Sequence, residues 1–91
     1  MNDPERLRKA VLQGEKARQI MEDPMVRDAL DSMRQDVFDN FRKSHWNKPE
    51  EREELYKMIR AVDDFEKRFN DKINGGKKAK TLLEKWFNKG E

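Results

Sequence analysis

The sequence contains no cysteine, which excludes disulfide bonds, thiolate metal sites and cysteine nucleophiles. It also lacks any apolar run near the 18 or so residues that a membrane-spanning helix needs. The first residues have no apolar segment of the kind found in signal peptides. We therefore expect a cytoplasmic protein that does not have a membrane as its partner.

Apolar residues are scarce and charged residues abundant, at 34% and 44% of the chain, whereas typical domains have about 45–50% and 25%. A chain of 91 residues forms one domain at most and buries only a modest core. The small net charge of +2 and the helical spacing of the apolar residues argue against disorder. We predict an elongated helical protein or an oligomer, since either covers a narrow apolar stripe without a round core.

Two Asp-Pro dipeptides, Asp3-Pro4 and Asp23-Pro24, mark the starts of two helices. Aspartate caps the free N–H groups of a first turn, and proline suits the first helical position. The residue before a proline is disfavoured in helical geometry, so the first helix should end near residue 22. The sequence thus predicts an N-terminal helix at about 4–22 and a second helix at about 24–44. Gly14 either weakens the first helix or permits a close approach to another helix.

The third predicted helix begins at Pro49, with glutamates in its first turns that complement the helix dipole. Because only about five residues join it to the second helix, we expect the two to be antiparallel neighbours. The apolar stripes of the two helices follow a helical period. They consist of Val26, Leu30, Met33, Val37 and Phe41 in the second helix and of Leu55, Ile59, Val62, Phe65, Phe69 and Ile73 in the third.

The dipeptide Gly75-Gly76 predicts a helix stop, because glycine supplies the left-handed C-cap. The predicted fold is therefore all-α and consists of an antiparallel helical hairpin, about 24–44 and 49–74, with the N-terminal helix packed on it or on another copy. A short C-terminal amphipathic helix should follow at about 77–88. We expect residues 1–91 to form a single helical domain in which residues 75–91 are a basic tail.

No pattern in the chain indicates a catalytic or ligand-binding centre. His45 is the single histidine and lies in a predicted loop, without the orienting partner that a general base needs. The acidic clusters at 50–54 and 63–66 lack the Glu-x-x-His motif of di-iron bundles, and Gly75-Gly76-Lys77 lacks the spacing of a P-loop. We predict no enzyme activity, no catalytic residues, no metal site and no cofactor.

The C-terminal tail is the strongest candidate for a binding surface. Its apolar residues have the spacing of anchors that an amphipathic helix inserts into a protein groove, and Trp46 stands at an exposed turn where it either contacts a partner or closes the hairpin. Docking of the tail onto its own core or a partner subunit is the simpler alternative. The predicted partner-binding residues are Leu82, Leu83, Trp86, Phe87 and Trp46.

A nucleic-acid partner is an alternative for the same tail, because residues 75–91 carry five lysines and two acidic groups. Lysines without arginine would attract phosphate groups without reading bases. The residues that would make these contacts are Lys77, Lys78, Lys80 and Lys85.

Residues 15–80 resemble a group of small helical proteins that tailed bacteriophages encode among their head-assembly and DNA-packaging genes. The shared pattern is an Ala-Arg-x-Ile-x-x-Asp-Pro entry, a hairpin turn before Glu-x-Arg-Glu-x-Leu, and a terminal Gly-Lys, found here in EKARQIMEDPMV, EEREEL and GGKK. The resemblance implies a non-enzymatic protein with virion-assembly partners, located in the cytoplasm of the host cell or incorporated in the virion.

Together these observations favour a protein-interaction factor that acts through helical surfaces in phage virion assembly or in an accessory role. We expect a homo-oligomer formed through the stripe at 55–73 or through the first helix, and a phage structural protein as a candidate partner. The alternatives are a nucleic-acid-binding packaging component and a host-directed inhibitor.

Overall fold

The computed structural model describes residues 3–44 and 48–88, which form three helices. Helix α1 comprises Pro4–Glu22, α2 comprises Pro24–Lys43, and α3 comprises Pro49–Asn88. The all-α prediction is confirmed, and the predicted bounds of the first two helices agree with the structure to within one residue.

Asp23 separates α1 from α2 and serves as the cap of both. Its extended backbone (φ −64°, ψ 125°) ends α1, and its N–H donates to the carbonyl of Ile20. Its carboxylate accepts hydrogen bonds from the N–H groups of Met25 and Val26 at 2.8 and 3.3 Å. Asp3 caps α1 in the same way through the N–H of Glu5. Each Asp-Pro dipeptide therefore starts a helix, because the N–H groups of the first turn have no partner within the helix and the aspartate carboxylate accepts their hydrogen bonds.

The predicted helix stop at Gly75-Gly76 is wrong. Helix α3 continues through both glycines for 40 residues, neither glycine has a positive φ, and residues 77–88 are its last turns rather than a separate helix after a break. Gly76 lies against Gly14 of α1, so closely that a Cβ atom on Gly76 would be 3.0 Å from the Cα of Gly14. A helical glycine costs about 1 kcal/mol relative to alanine, and the close packing of the two helices offsets that cost.

Helices α1 and α2 follow one another along α3, and both run antiparallel to it. As the chain advances, Arg8 meets Phe87, Gly14 meets Gly76, and Arg34 meets Glu66. The α1–α3 segment (residues 4–22 and 74–88) and the α2–α3 segment (residues 24–43 and 49–73) therefore share the long helix. The result is a hairpin with dimensions of 67 × 27 × 15 Å. The N-terminal helix packs on it, which is one of the two arrangements that the sequence left open.

The core lies where the three helices meet. Met21, Leu30 and Val62 form its buried centre. Four half-buried residues pack around them: Ile20, Val26, Phe69 and Ile73. Among the described residues, no helix is both long and apolar enough to cross a bilayer.

Candidate protein-interaction surfaces

Large apolar side chains are exposed along the α2–α3 segment, although most of them belong to or flank the apolar stripes. Met25, in the first turn of α2, is 80% exposed. The others are between 44% and 59% exposed, and they are Met33, Phe38, Phe41, Tyr56, Met58 and Phe65. The α2–α3 segment itself contributes only Leu30 and Val62 to the buried set, so its two helices leave much of their apolar surface uncovered.

The aromatic face, defined by Phe38, Phe41 and Tyr56, lies on one side of the α2–α3 segment. These rings line an open groove of about 620 Å³ together with polar Asp31, Arg34 and Gln35 and apolar Val37, Leu55 and Ile59. The guanidinium groups of Arg52 and Arg60 lie 5.6 and 5.9 Å from the ring centroids of Phe41 and Tyr56. Aromatic and arginine side chains are enriched in protein interfaces, and this groove combines both.

Ion pairs join α2 to α3 beside the aromatic face. Arg34 donates hydrogen bonds to Glu66 at 2.6 Å and to Asp63 at 3.1 Å. Arg27 donates to the other oxygen of Glu66 at 3.1 Å. The hydrogen bond from Arg34, followed by that from Arg27, holds the pKa of Glu66 below its usual range. The same pairing, led by the hydrogen bond to Glu66, raises the pKa of Arg34, so both groups stay charged near neutral pH.

The methionine face, defined by Met33, Met58 and Phe65, lies on the opposite side of the α2–α3 segment. It borders an open groove of about 700 Å³. The rest of the lining is apolar apart from Asp36 and Asn40, and comprises Val26, Ala29, Leu30, Val37, Ala61 and Val62. The two faces differ in character, since the methionine face has one ionisable side chain and the aromatic face has charges of both signs.

The residues predicted to bind a partner lie in the last turns of α3, where the structure divides them. Leu82 and Leu83 are half-buried, whereas Trp86 and Phe87 are 55% and 64% exposed. The guanidinium of Arg8 lies 5.7 Å from the ring centroid of Phe87. The last turns of α3 are thus partly docked on their own chain and partly open, and the binding of a partner by Trp86 and Phe87 stays a prediction.

The predicted lysines Lys77, Lys78, Lys80 and Lys85 are all exposed. Lys77 and Lys80 line a depression that also contains Glu15 and Arg18 of α1. A hydrogen bond from Arg18 is the main cause of the lowered pKa of Glu15, and Lys80 adds to it. The charge of Glu15 therefore offsets part of the positive field of these lysines. The predicted contact at Trp46 and the loop residue His45 lie outside the described residues.

The two faces of the α2–α3 segment were not predicted from the sequence as exposed surfaces. Met33, Phe41 and Phe65 belong to the apolar stripes, which were expected to be covered. The available signal was the set of apolar residues beside the stripes, namely Phe38, Tyr56 and Met58. A single seam between two helices covers only about two positions in seven, so apolar residues beside it stay uncovered.

Within residues 3–44 and 48–88, no group of three or more acidic, histidine or cysteine side chains is arranged to hold a metal ion. Comparison with protein-family models, curated proteins and solved structures finds no significant match to this chain.

Proposed function

We propose that this protein is a non-enzymatic interaction factor that binds another protein through its aromatic face. The observation that supports this proposal is the exposure of Phe38, Phe41 and Tyr56, at 59%, 44% and 58%. Tyrosine and arginine are enriched among the residues that contribute most binding energy at interfaces. Rings left in water in the free protein gain most from burial by a partner, at roughly 25 cal/mol per Å² of apolar surface.

The shape of the groove favours an amphipathic helix of the partner as the bound element. The groove follows the line between two antiparallel helices, and an amphipathic helix binds such a groove through anchors spaced three or four residues apart. Asp31, Arg34 and Gln35 at its edge supply donors and acceptors that set the register of the bound helix. The exposed Trp86 and Phe87 form a second, smaller contact candidate at the end of α3.

The sequence resemblance suggests where such a factor acts. We propose, from that resemblance alone, that the partner is a bacteriophage structural protein near the capsid or portal. The protein would then work in virion assembly or in an accessory role, in the host cytoplasm or within the virion. A host-directed inhibitor would use the same face, and the identity of the bound protein distinguishes the two.

Site-specific photo-crosslinking in cells that express the chain from its native genome tests this proposal. A photoreactive phenylalanine at position 38 or 56 should give an adduct with one other protein. The same group at Leu12, which is 70% exposed on α1, is the control and should give none. Mass spectrometry then identifies the partner. Adducts that are absent at 38 and 56, or identical at all three positions, would contradict the proposal.

A nucleic-acid-binding role is the second candidate, favoured by the four exposed lysines near the end of α3 and by exposed Trp86 beside them. Such binding should weaken steeply as salt concentration rises, because phosphate contacts release counterions. Replacing Lys77, Lys78 and Lys80 together by glutamate should abolish it in a fluorescence-anisotropy titration with single- and double-stranded DNA. Affinity that survives this replacement would reject the nucleic-acid role.

A further inference from the structure

The methionine face is an apolar surface on a single layer of helices. Met33, Met58 and Phe65 are 51%, 55% and 50% exposed, and they project from a segment that contributes only Leu30 and Val62 to the buried set. The shortest dimension of the molecule is 15 Å, close to the diameter of one helix with its side chains, about 10–12 Å. Stable helical domains bury their apolar stripes between two layers. Residues 3–44 and 48–88 place no second layer on this side, so a partner molecule that packs here would complete it.

The size of the face is within the range of a stable interface. Helix α2 has 20 residues, which corresponds to about 30 Å of length, and two helices side by side, each about 10 Å in diameter, are about 20 Å wide. The resulting footprint of roughly 600 Å² per copy, or about 1,200 Å² for the pair, lies at the lower end of the range for interfaces of standard size. A partner helix alone would cover less than this, whereas a pair of helices of the same length would cover all of it.

The charge of the face points to a partner surface that is itself uncharged. Among the described residues that line the groove, Asp36 is the only ionisable one, and interface centres are depleted of charged residues. Two such faces can meet with one carboxylate from each copy near the contact. Methionine side chains are flexible enough to fill the gaps between two imperfectly matched surfaces. By contrast, the aromatic face carries charges of both signs at Asp31 and Arg34.

We infer that the methionine face is covered by a second copy of this chain. In a dimer with two-fold symmetry, the commonest arrangement of soluble oligomers, the α2–α3 segments of the two copies stack face to face. Four helices then enclose one apolar core, as in a four-helix bundle. The aromatic face stays open on the outside of each copy, so this inference and the proposed partner surface are independent of one another.

Sedimentation equilibrium of the full chain tests the inference. At micromolar concentrations the mass should be twice the 11.0 kDa of one chain. Met33→Glu and Met58→Glu each place a charge in the centre of the contact and should raise the dimer dissociation constant by about 100-fold or more. Leu12→Glu adds the same charge at an exposed apolar position outside both faces and should leave the constant unchanged. Circular dichroism checks that each variant keeps its helices.

A cross-linking experiment provides a second measurement that does not depend on the glutamate variants. The chain lacks cysteine, so a single cysteine can be introduced without competing thiols. Met33→Cys and Ala61→Cys should form covalent dimers with a short bismaleimide, and Leu12→Cys should not. If the glutamate variants lose their helical circular-dichroism signal, the cross-linking result alone tests whether the methionine face is the dimer contact.

Three outcomes would overturn the inference: a wild-type chain that remains monomeric, a dimer that persists in both glutamate variants, or cross-linking that is equal at all three cysteine positions. None of these results affects the test of the aromatic face, because that test reads adducts with another protein. Conversely, a failure to find that partner leaves the dimer measurement intact.

Discussion

The two halves of α3 pack against their neighbours in opposite ways. Along the C-terminal half, α1 approaches so closely that a Cβ atom on Gly14 would lie 2.8 Å from the carbonyl oxygen of Lys72 and 2.9 Å from the Cα of Gly76. Along the N-terminal half, α2 stands further from α3, with Arg27 and Arg34 bridging to Glu66. The comparison indicates that one half is closed by its own chain, whereas the other leaves apolar surface exposed to solvent.

The size of the residues in each seam explains the difference. Gly14, Ala17, Gly76 and Ala79 are all buried in the α1–α3 segment, and small side chains let the backbones come together. In the α2–α3 segment, Leu30, Val62 and the arginine bridges hold the helices apart. Grooves therefore open on both sides of that seam and the stripes extend into them.

The largest effect is expected from deleting residues 77–91, which removes Ala79, Leu82 and Leu83 from the contact with α1. The first turns of α1, up to Gly14, would then lack the helix that they pack on and should fray, because most helical stability in proteins comes from tertiary packing. Hydrogen exchange should show the protection of the amides in these turns falling to about zero. Retained protection would mean that the last turns of α3 do not hold α1 in place.

Leu30→Ala should be the most damaging single substitution in the α2–α3 segment. Leu30 is 3% exposed in the core cluster, and truncating such a residue costs about 2–5 kcal/mol of unfolding free energy. Urea denaturation followed by circular dichroism measures the change. Met25→Ala is the matched control, since Met25 is 80% exposed and its loss should change stability by less than about 0.5 kcal/mol. Equal effects would show that the α2–α3 seam is not packed as described.

The adjacent glycines of α3 should respond to alanine with opposite signs. A Cβ atom on Gly76 would lie 3.1 Å from the carbonyl oxygen of Ala10 and 3.0 Å from the Cα of Gly14. Both atoms belong to backbone that cannot yield cheaply, so Gly76→Ala should destabilise the protein by about 1–3 kcal/mol. Gly75 faces open space, and Gly75→Ala should stabilise it by about 0.5–1 kcal/mol through helix propensity. The difference between the two melting temperatures tests the close crossing, and stabilisation by both substitutions would refute it.

The smallest effect is expected at the ion pairs. Because the pKa of Glu66 is lowered in the folded state, its contribution to stability is present above its unfolded pKa of about 4.3. That contribution is lost as the pH falls through the lower folded pKa. Glu66→Gln should cost about 1 kcal/mol near neutral pH and flatten the acid limb of the stability profile measured by urea denaturation.

Asp64→Asn is a matched control for Glu66→Gln, since Asp64 is exposed on the same helix and the change should cost less than about 0.5 kcal/mol. If stability falls with acid in Glu66→Gln as it does in the unmodified protein, other carboxylates cause the loss of stability at low pH.

The helix starts, the hairpin and the helical class could be predicted because they depend on neighbouring residues. The carboxylates of Asp3 and Asp23 reach N–H groups two or three residues ahead, and the short connection after α2 leaves few ways to place α3. The sequence left open whether the C-terminal residues dock on their own chain or on a partner. Leu82 and Leu83 are half-buried, whereas Trp86 and Phe87 are exposed, and this division depends on how far α1 extends along α3.

The sequence by itself determined where α1, α2 and α3 begin and that each has an apolar side, because caps and helical periodicity act within a few residues. Only the tertiary structure decided that α3 continues through Gly75 and Gly76, since the gain there comes from Gly14, far away in the chain. It also decided which apolar residues remain exposed. Exposure depends on how closely two helices approach, and the side chains of both helices set that distance together.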